Sequence, residues 1–418
     1  MKYKIQYGKG KLALSVPRQR VVGIIRPKDV LAVGDVEVVV KQAIETPCKS
    51  RPLSKILSGK HTALIITVDQ TRPSPAKLIV PILELCGRYG VEPTVMVALG
   101  RHRAMSNDEL ASHFGAVIMN RCRILQHNPF DESQMISKGI TRLGTSIMVN
   151  KAIFEHDVVI GTGIIEPSYL AGYSGGRKLM MPGLAHHASI DNNHFYLTDA
   201  NTKIGKLRGN PVSDDAAEFA SRLPMHFIVY AVSGPNDEVA HIVAGHAVKA
   251  HALACKLSED IYRVNKREAD IVISSVGGAP YDCDLVQGKK AIIPATVAVR
   301  RNGVVIICAE CQDGIGAEKT FMKWLLEKTP FEVTSDVRDR KQFSLGAHGA
   351  NILARPIVQK NAKVILVTNP AVVKQLRGSY ITAVTEINDA LKLADFIVGK
   401  DSGILFIEKA RRLILSDD

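Results

Sequence analysis

The chain has 418 residues, 46% hydrophobic and only 5% aromatic, with a formal net charge of +13, a length that suggests two or three domains. A single Trp, Trp324, argues against a single-strand nucleic-acid binder built on base stacking. The positive charges are dispersed, with no block of five or six Lys/Arg, so a small anionic ligand explains them at least as well as nucleic acid or a membrane surface.

The opening residues, MKYKIQYGKGKLALSVPRQR, hold no apolar core for a signal peptide, and no stretch approaches a membrane span. A cytoplasmic protein is expected. A helix is predicted near Asp35–Ile44, and residues 63–68 (ALIITV) read as a buried strand. That strand runs into Asp69-Gln70-Thr71-Arg72-Pro73-Ser74-Pro75, a polar loop of the kind that carries ligand-binding residues in α/β proteins. A helix over 77–89 and a strand over 94–99 follow, the strand ending in Gly100-Arg101-His102-Arg103. Ser106 with Glu109 marks the next helix start.

Strand, loop and helix repeat a third time from Asp157. Residues 157–160 (DVVI) read as a strand, and Gly161 and Gly163 are expected to turn the backbone. Next comes Ala171-Gly172-Tyr173-Ser174-Gly175-Gly176, too rich in glycine for a core element, with Arg177 and Lys178 directly after. Glycines let a backbone approach something closely, and successive amides with two cations suit a phosphate. Asp191-Asn192-Asn193-His194 adds a candidate metal ligand. An ordinary surface turn is the plain alternative, since the run is neither a Walker A motif nor GxGxxG.

Beyond Pro211 a helix near 214–222, a strand over 226–232 and a long charged helix over 246–267 are predicted. A new α/β unit begins at Ala269-Asp270-Ile271-Val272-Ile273. Further strands are expected at 303–308, 363–368, 396–398 and 404–407. The whole reads as two doubly wound α/β domains, 1–267 and 268–418, with a ligand site in the cleft between them. The seven cysteines are scattered, which is unlike a secreted disulfide framework. Cys308-Ala-Glu-Cys311 is a lone C-x-x-C and a weak basis for zinc or redox chemistry.

Asp69, Arg72, His102, Lys178, His194, Gln287 and Lys290 are the chemical candidates. Each has a bland reading as a solvated loop or structural residue, but the first three follow apolar strands, where α/β active sites gather. Together the motifs resemble the nickel-pincer lactate racemase family over nearly the whole chain. The resemblance rests on DQTRPSP at 69–75, GRHR at 100–103 and EPSYLAGYSGGRK at 166–178. It also rests on Asn193-His194, Gln287 with Lys290, AECQDG at 309–314 and LGAHG at 345–349.

The resemblance implies two α/β domains and a nickel-pincer nucleotide derived from nicotinic acid mononucleotide. Lys178 would tether it through a thioamide, and His194 would ligate nickel. The backbone of Gly172, Tyr173, Ser174, Gly175 and Gly176 would cradle the phosphate. Asp69 and Arg72 would contact cofactor or substrate, while Gln287 and Lys290 would meet a substrate carboxylate. His102 would take the hydroxyl proton as C2 gives up hydride, a role suited to imidazole. The resemblance further implies cofactor-synthesis enzymes as partners, and a homodimer is compatible with it.

The sequence departs from that pattern at Ser168, where lactate racemases have a second histidine after Glu-Pro. A serine hydroxyl is no base near neutrality. Tyr169, a water on Ser168, His186 or His187 are the candidates to replace it. Gly349 also stands where the family tends to have lysine. The expected activity is therefore racemisation or epimerisation at C2 of a 2-hydroxy acid, a sugar acid rather than lactate. The alternatives are a hydride-transferring relative that does not epimerise, a non-catalytic nucleotide-binding protein, and, last, a nucleic-acid binder.

Overall fold

A computed structural model describes residues 2–417 and divides into two compact units, residues 29–261 and residues 1–28 with 262–418. The N-terminal segment contains a hairpin, β1 (Lys2–Tyr7) and β2 (Gly10–Ser15), and then β3 (Val21–Ile25). The expected division at 267/268 falls at 261/262 instead, and residues 1–28 join the later unit. The reason is strand pairing across most of the sequence: β3 lies parallel to a strand near residue 405.

In the 29–261 unit, β4 (Thr62–Thr67), β5 (Glu92–Val97) and β6 (Arg123–Gln126) are followed by a hairpin, β7 (Met135–Ile140) and β8 (Ser146–Asn150). Then come β9 (Val158–Ile165), a short ribbon of β10 (Pro167–Ser168) and β11 (Gly172–Tyr173), and β12 (Phe227–Ser233) with β13 (Val239–Gly245). The main sheet has the order β13-β12-β9-β4-β5-β6, parallel except for the β12–β13 pair. Helices cover both faces, so the central strands are apolar throughout rather than alternating. β9 is buried at all eight residues. Helix Val36–Glu45 starts at Asp35, whose side chain accepts from the Glu37 and Val38 amides, and helix Asn107–Arg121 starts with the Ser106–Glu109 capping box.

Gly161 and Gly163 do not turn the chain: β9 runs through both. They are small because neighbours crowd in. A Cβ at Gly161 would lie 2.9 Å from Leu179 Cδ1, and one at Gly163 would lie 3.1 Å from Val68 Cγ1. The charged helix is shorter than expected, Lys249–Tyr262, because the chain then extends as β14 (Arg263–Asn265).

In the later unit, β15 (Ala269–Ser275), β16 (Val299–Cys308), β17 (Lys363–Val367), β18 (Thr382–Val384) and β19 (Ile404–Ile407) precede β20 (Ile414–Ser416), which pairs with β14. Its all-parallel sheet has the order β18-β17-β16-β15-β19-β3. The strand expected at 396–398 is the end of helix Ile387–Val398. Ile387, Ala390, Leu391 and Ala394 recur on one buried helical face, leaving Phe396 90% exposed.

Candidate active site

The candidates of the 29–261 unit gather at the carboxyl ends of three neighbouring parallel strands, β5, β4 and β9. The loop after central β4 carries Asp69 and Arg72, the loop after β5 carries His102, and Glu166 follows β9. His102 Nδ1 lies 2.5 Å from Asp69 Oδ2. The Asp69 side chain is 4% exposed and His102 57%. Burial pushes the Asp69 carboxyl upward, but the His102 hydrogen bond and charge, together with the Thr71 hydroxyl and amide, hold it below the usual range. With Nδ1 donating to the carboxylate, Nε2 is the ring's acceptor. On the other side of the loop, Arg72 Nε stands 3.6 Å from Glu166 Oε1, and Glu166 is buried.

Lys178 sits in the 3₁₀ turn Gly176–Leu179. Its ammonium is pushed down to about 8, first by burial and then by the Arg72 charge, with Glu166 opposing. His194 lies on helix His187–Phe195, and its pKa is pushed down to about 4 by burial and by the charge of Lys178. The Ile190 carbonyl pulls the other way, yet Nδ1 is buried with no hydrogen bond of regular geometry. A neutral imidazole has a lone pair to give a metal, and an amine that is neutral near pH 8 can be acylated. The donor set therefore fits a tethered group that carries a metal. Arg101 adds positive charge, held by an ion pair to Asp191 on the His194 helix.

The glycine run is built for a different approach from the one expected. Gly172, Gly175 and Gly176 all have positive φ. A Cβ at Gly172 would lie 2.2 Å from the Lys206 carbonyl oxygen, one at Gly175 2.4 Å from Ile165 Cδ1, and one at Gly176 2.6 Å from His251 Cδ2. The amides of Tyr173, Ser174 and Lys178 donate to the Ala171, Glu166 and Gly175 carbonyls, and Gly176 donates to the Tyr230 hydroxyl at 2.7 Å. Those four amides are spent within the chain, so they do not form a phosphate nest. The run instead fixes the turn that carries Lys178. Ser174 is buried, and its Oγ accepts from the Glu166 amide and donates to the Ile164 carbonyl. Ser168 is half-buried and pairs with Gly172.

Sequence reasoning missed Tyr230 and His251. Tyr230 sits inside an apolar strand and reads as core; His251 Nε2 donates to the Ser174 carbonyl at 3.0 Å from a helix without a motif. His186 and His187 lie at the start of the His194 helix. His186 caps the His194 helix, its ring lies 4.2 Å from that of His187, and His187 stacks on Phe130.

In the later unit Gln287 and Lys290 meet directly, Lys290 Nζ donating to Gln287 Oε1 at 2.5 Å. Asp284 caps that turn through the Gln287 amide. Lys289 is buried, donates to the Val286 carbonyl and runs along Gly349, whose Cβ would lie 3.0 Å from its Cε. Cys308 and Cys311 are both buried, and burial pushes their thiols up to about 12, which suits neither a thiolate ligand nor a redox nucleophile. Among the described residues no group of three His, Cys, Asp or Glu is placed to hold a metal by itself.

Comparison with known proteins bears on the family of the chain. Residues 7–205 match the lactate racemase N-terminal domain and residues 264–414 the lactate racemase C-terminal domain. The chain is 33% identical to the lactate racemase of Thermoanaerobacterium thermosaccharolyticum over 99% of both chains. It is 31% identical to that of Lactiplantibacillus plantarum over 73% of this chain and 70% of the other. The apoprotein structure of the Thermoanaerobacterium enzyme superposes with a TM-score of 0.92 over the whole of both chains. A Thermotoga maritima protein, 20% identical, shares the fold with a TM-score of 0.70 over 92% of this chain and 99% of its own. The chain belongs to the lactate racemase family.

Proposed function

We propose that this racemase-family enzyme inverts C2 of a 2-hydroxy acid with a nickel-pincer nucleotide tethered to Lys178. The observation that carries the reading is the desolvated Lys178 amine beside the neutral, incompletely satisfied His194, next to the His102–Asp69 pair. Lys178 would hold the organic group and His194 the nickel. When bound, that group accepts and returns hydride at C2. His102, oriented by Asp69, takes the hydroxyl proton at Nε2. Arg72 offers its guanidinium to cofactor or substrate, and in the later unit Lys290 beside Gln287 carries a charge suited to a carboxylate. Ser168, smaller than an imidazole, favours a longer, hydroxylated acid over lactate.

The same reading makes cofactor-synthesis enzymes partners in maturation, and a homodimer is compatible with it. Among the described residues no helix is long and apolar enough to cross a membrane. The test is co-expression with cofactor-synthesis enzymes, followed by nickel analysis, intact mass and a chiral assay over a panel of 2-hydroxy acids. A second reading, hydride transfer without inversion, rests on Ser168 alone and predicts keto acid without the opposite configuration.

A further inference from the structure

The loop after β4 reaches to both sides. Asp69 turns toward β5 and holds His102, while Arg72 turns toward β9 and holds Glu166. The order β9-β4-β5 puts those two partners on opposite flanks of one loop, about 10 Å apart at strand level because neighbouring strands are about 4.8 Å apart. Each flank thus presents one proton-handling side chain, oriented by a charge from the centre. Glu166 is fixed as well as buried: its amide donates to Ser174 Oγ at 2.9 Å, and its carbonyl accepts from the Ser174 amide at 2.9 Å.

Inversion through a planar 2-keto acid makes a demand on the hydroxyl proton. A group tethered at Lys178 would take the C2 hydrogen and return it from the same side. To receive it on the opposite face, the keto acid must swing its oxygen to the other flank. That oxygen needs a proton partner at both ends of the swing. His102 serves the β5 flank. Ser168, two residues beyond Glu166, has no basic atom near neutrality.

We propose that Glu166 is the second proton acceptor, serving the β9 flank. This rests on the reading given under Proposed function. For a substrate whose hydroxyl faces β9, the O–H bond breaks and its proton passes to a Glu166 oxygen. C2=O would form as the C2 hydrogen leaves with its electron pair, the hydride-accepting chemistry that the bound group would supply. On the return, hydride adds to C2 while the oxygen, now facing β5, takes a proton from His102, which enters this direction of the cycle as the imidazolium, protonated from solvent. Glu166 then releases a proton to solvent and His102 regains one, which its 57% exposure allows. The opposite configuration runs the same steps in reverse.

The experiment is a single turnover on the cofactor-loaded full chain, one configuration at a time, reading 2-keto acid formed. Steady-state rates are unsuitable because the equilibrium constant ties the two directions together. Glu166→Gln should slow keto-acid formation from one configuration by about a hundred- to ten-thousandfold and leave the other within a few-fold. His102→Gln should select the opposite configuration, and Glu166→Asp should recover part of the loss. Adduct mass on Lys178 and nickel content should match wild type in Glu166→Gln, in protein shown to be folded at the assay temperature. Equal slowing of both configurations, no slowing of either, or loss of the Lys178 adduct overturns the assignment. A fully loaded wild type that forms no keto acid from any 2-hydroxy acid overturns the functional reading itself, and needs no variant to show it.

Discussion

His102 is 57% exposed, with its Nδ1 2.5 Å from the buried carboxylate of Asp69, so an exposed ring is aimed by a buried group. A carboxylate there fixes the tautomer and supports an imidazolium once a proton arrives. Asp69→Asn should keep the fold and lower turnover by about a hundredfold or more. The pair also carries an acid signature. The folded Asp69 pKa is depressed, so its contribution to stability is present above about pH 4, the unfolded value, and is lost as pH falls through the folded one. Urea unfolding of wild type and Asp69→Asn should therefore differ at pH 7 and converge toward pH 2.

Lys178 should be chemically conspicuous before any cofactor arrives. With a pKa of about 8, roughly half of it is neutral at pH 8, against under about 1% for an ordinary lysine. A small acylating reagent at pH 8 should modify Lys178 faster than the surface lysines, as read by peptide mass. Arg72→Met should slow that labelling by raising the Lys178 pKa. Labelling no faster than at surface lysines would show that Lys178 is not an activated nucleophile.

His194 is buried neutral, with a pKa near 4 against about 6.5 unfolded. The sign is that of any depressed group: stability is full above about pH 6.5 and falls as pH drops toward 4, because only the unfolded chain gains the proton there. His127 and His251, also pushed to about 4 by burial, add to the same slope. His194→Gln should make apoprotein stability flatter between pH 6.5 and 4. In loaded protein it should lower nickel occupancy while leaving the adduct mass on Lys178.

The turn that carries Lys178 depends on contacts from afar. Tyr230→Phe leaves the buried Gly176 amide without its acceptor, which should cost about 1–3 kcal/mol in urea unfolding. Gly172→Ala should cost at least as much, since its Cβ would meet the Lys206 backbone at φ +77°. Both should reduce cofactor loading more than a surface substitution of equal instability.

The strand ends that hold these residues were legible, because runs such as Ala63–Thr67 and Val158–Ile160 are apolar and β-branched beyond any helical period. The pairings were not. Asp69 with His102 and Arg72 with Glu166 follow from β4 lying between β5 and β9, an order set by packing rather than by local sequence. The pairing of β3 with β19 spans almost the whole chain and has no local signal. The glycines at 172, 175 and 176 did announce a close approach, but glycine cannot say what approaches; here it is the protein's own Lys206, Ile165 and His251. At 396–398 three apolar residues suggested a strand, whereas the face that decides the helix lies at Ile387, Ala390, Leu391 and Ala394.

Ser168→His tests the departure at that position. It restores an imidazole two residues from Glu166 and fills space, so it should shift preference toward small acids such as lactate. Ser168→Ala should change turnover by no more than a few-fold, if the serine only shapes the pocket.

Inversion at C2 is proposed to depend on a cofactor held on Lys178. Its most direct measurement is the chiral outcome for protein co-expressed with cofactor-synthesis enzymes, given one configuration of each acid in the panel, beside Lys178→Ala prepared identically. Wild type should carry an intact-mass adduct and nickel and form the opposite configuration from at least one hydroxylated acid, and Lys178→Ala should show neither adduct nor inversion. Inversion by Lys178→Ala at the wild-type rate, or an adduct of equal mass on both proteins, would contradict it.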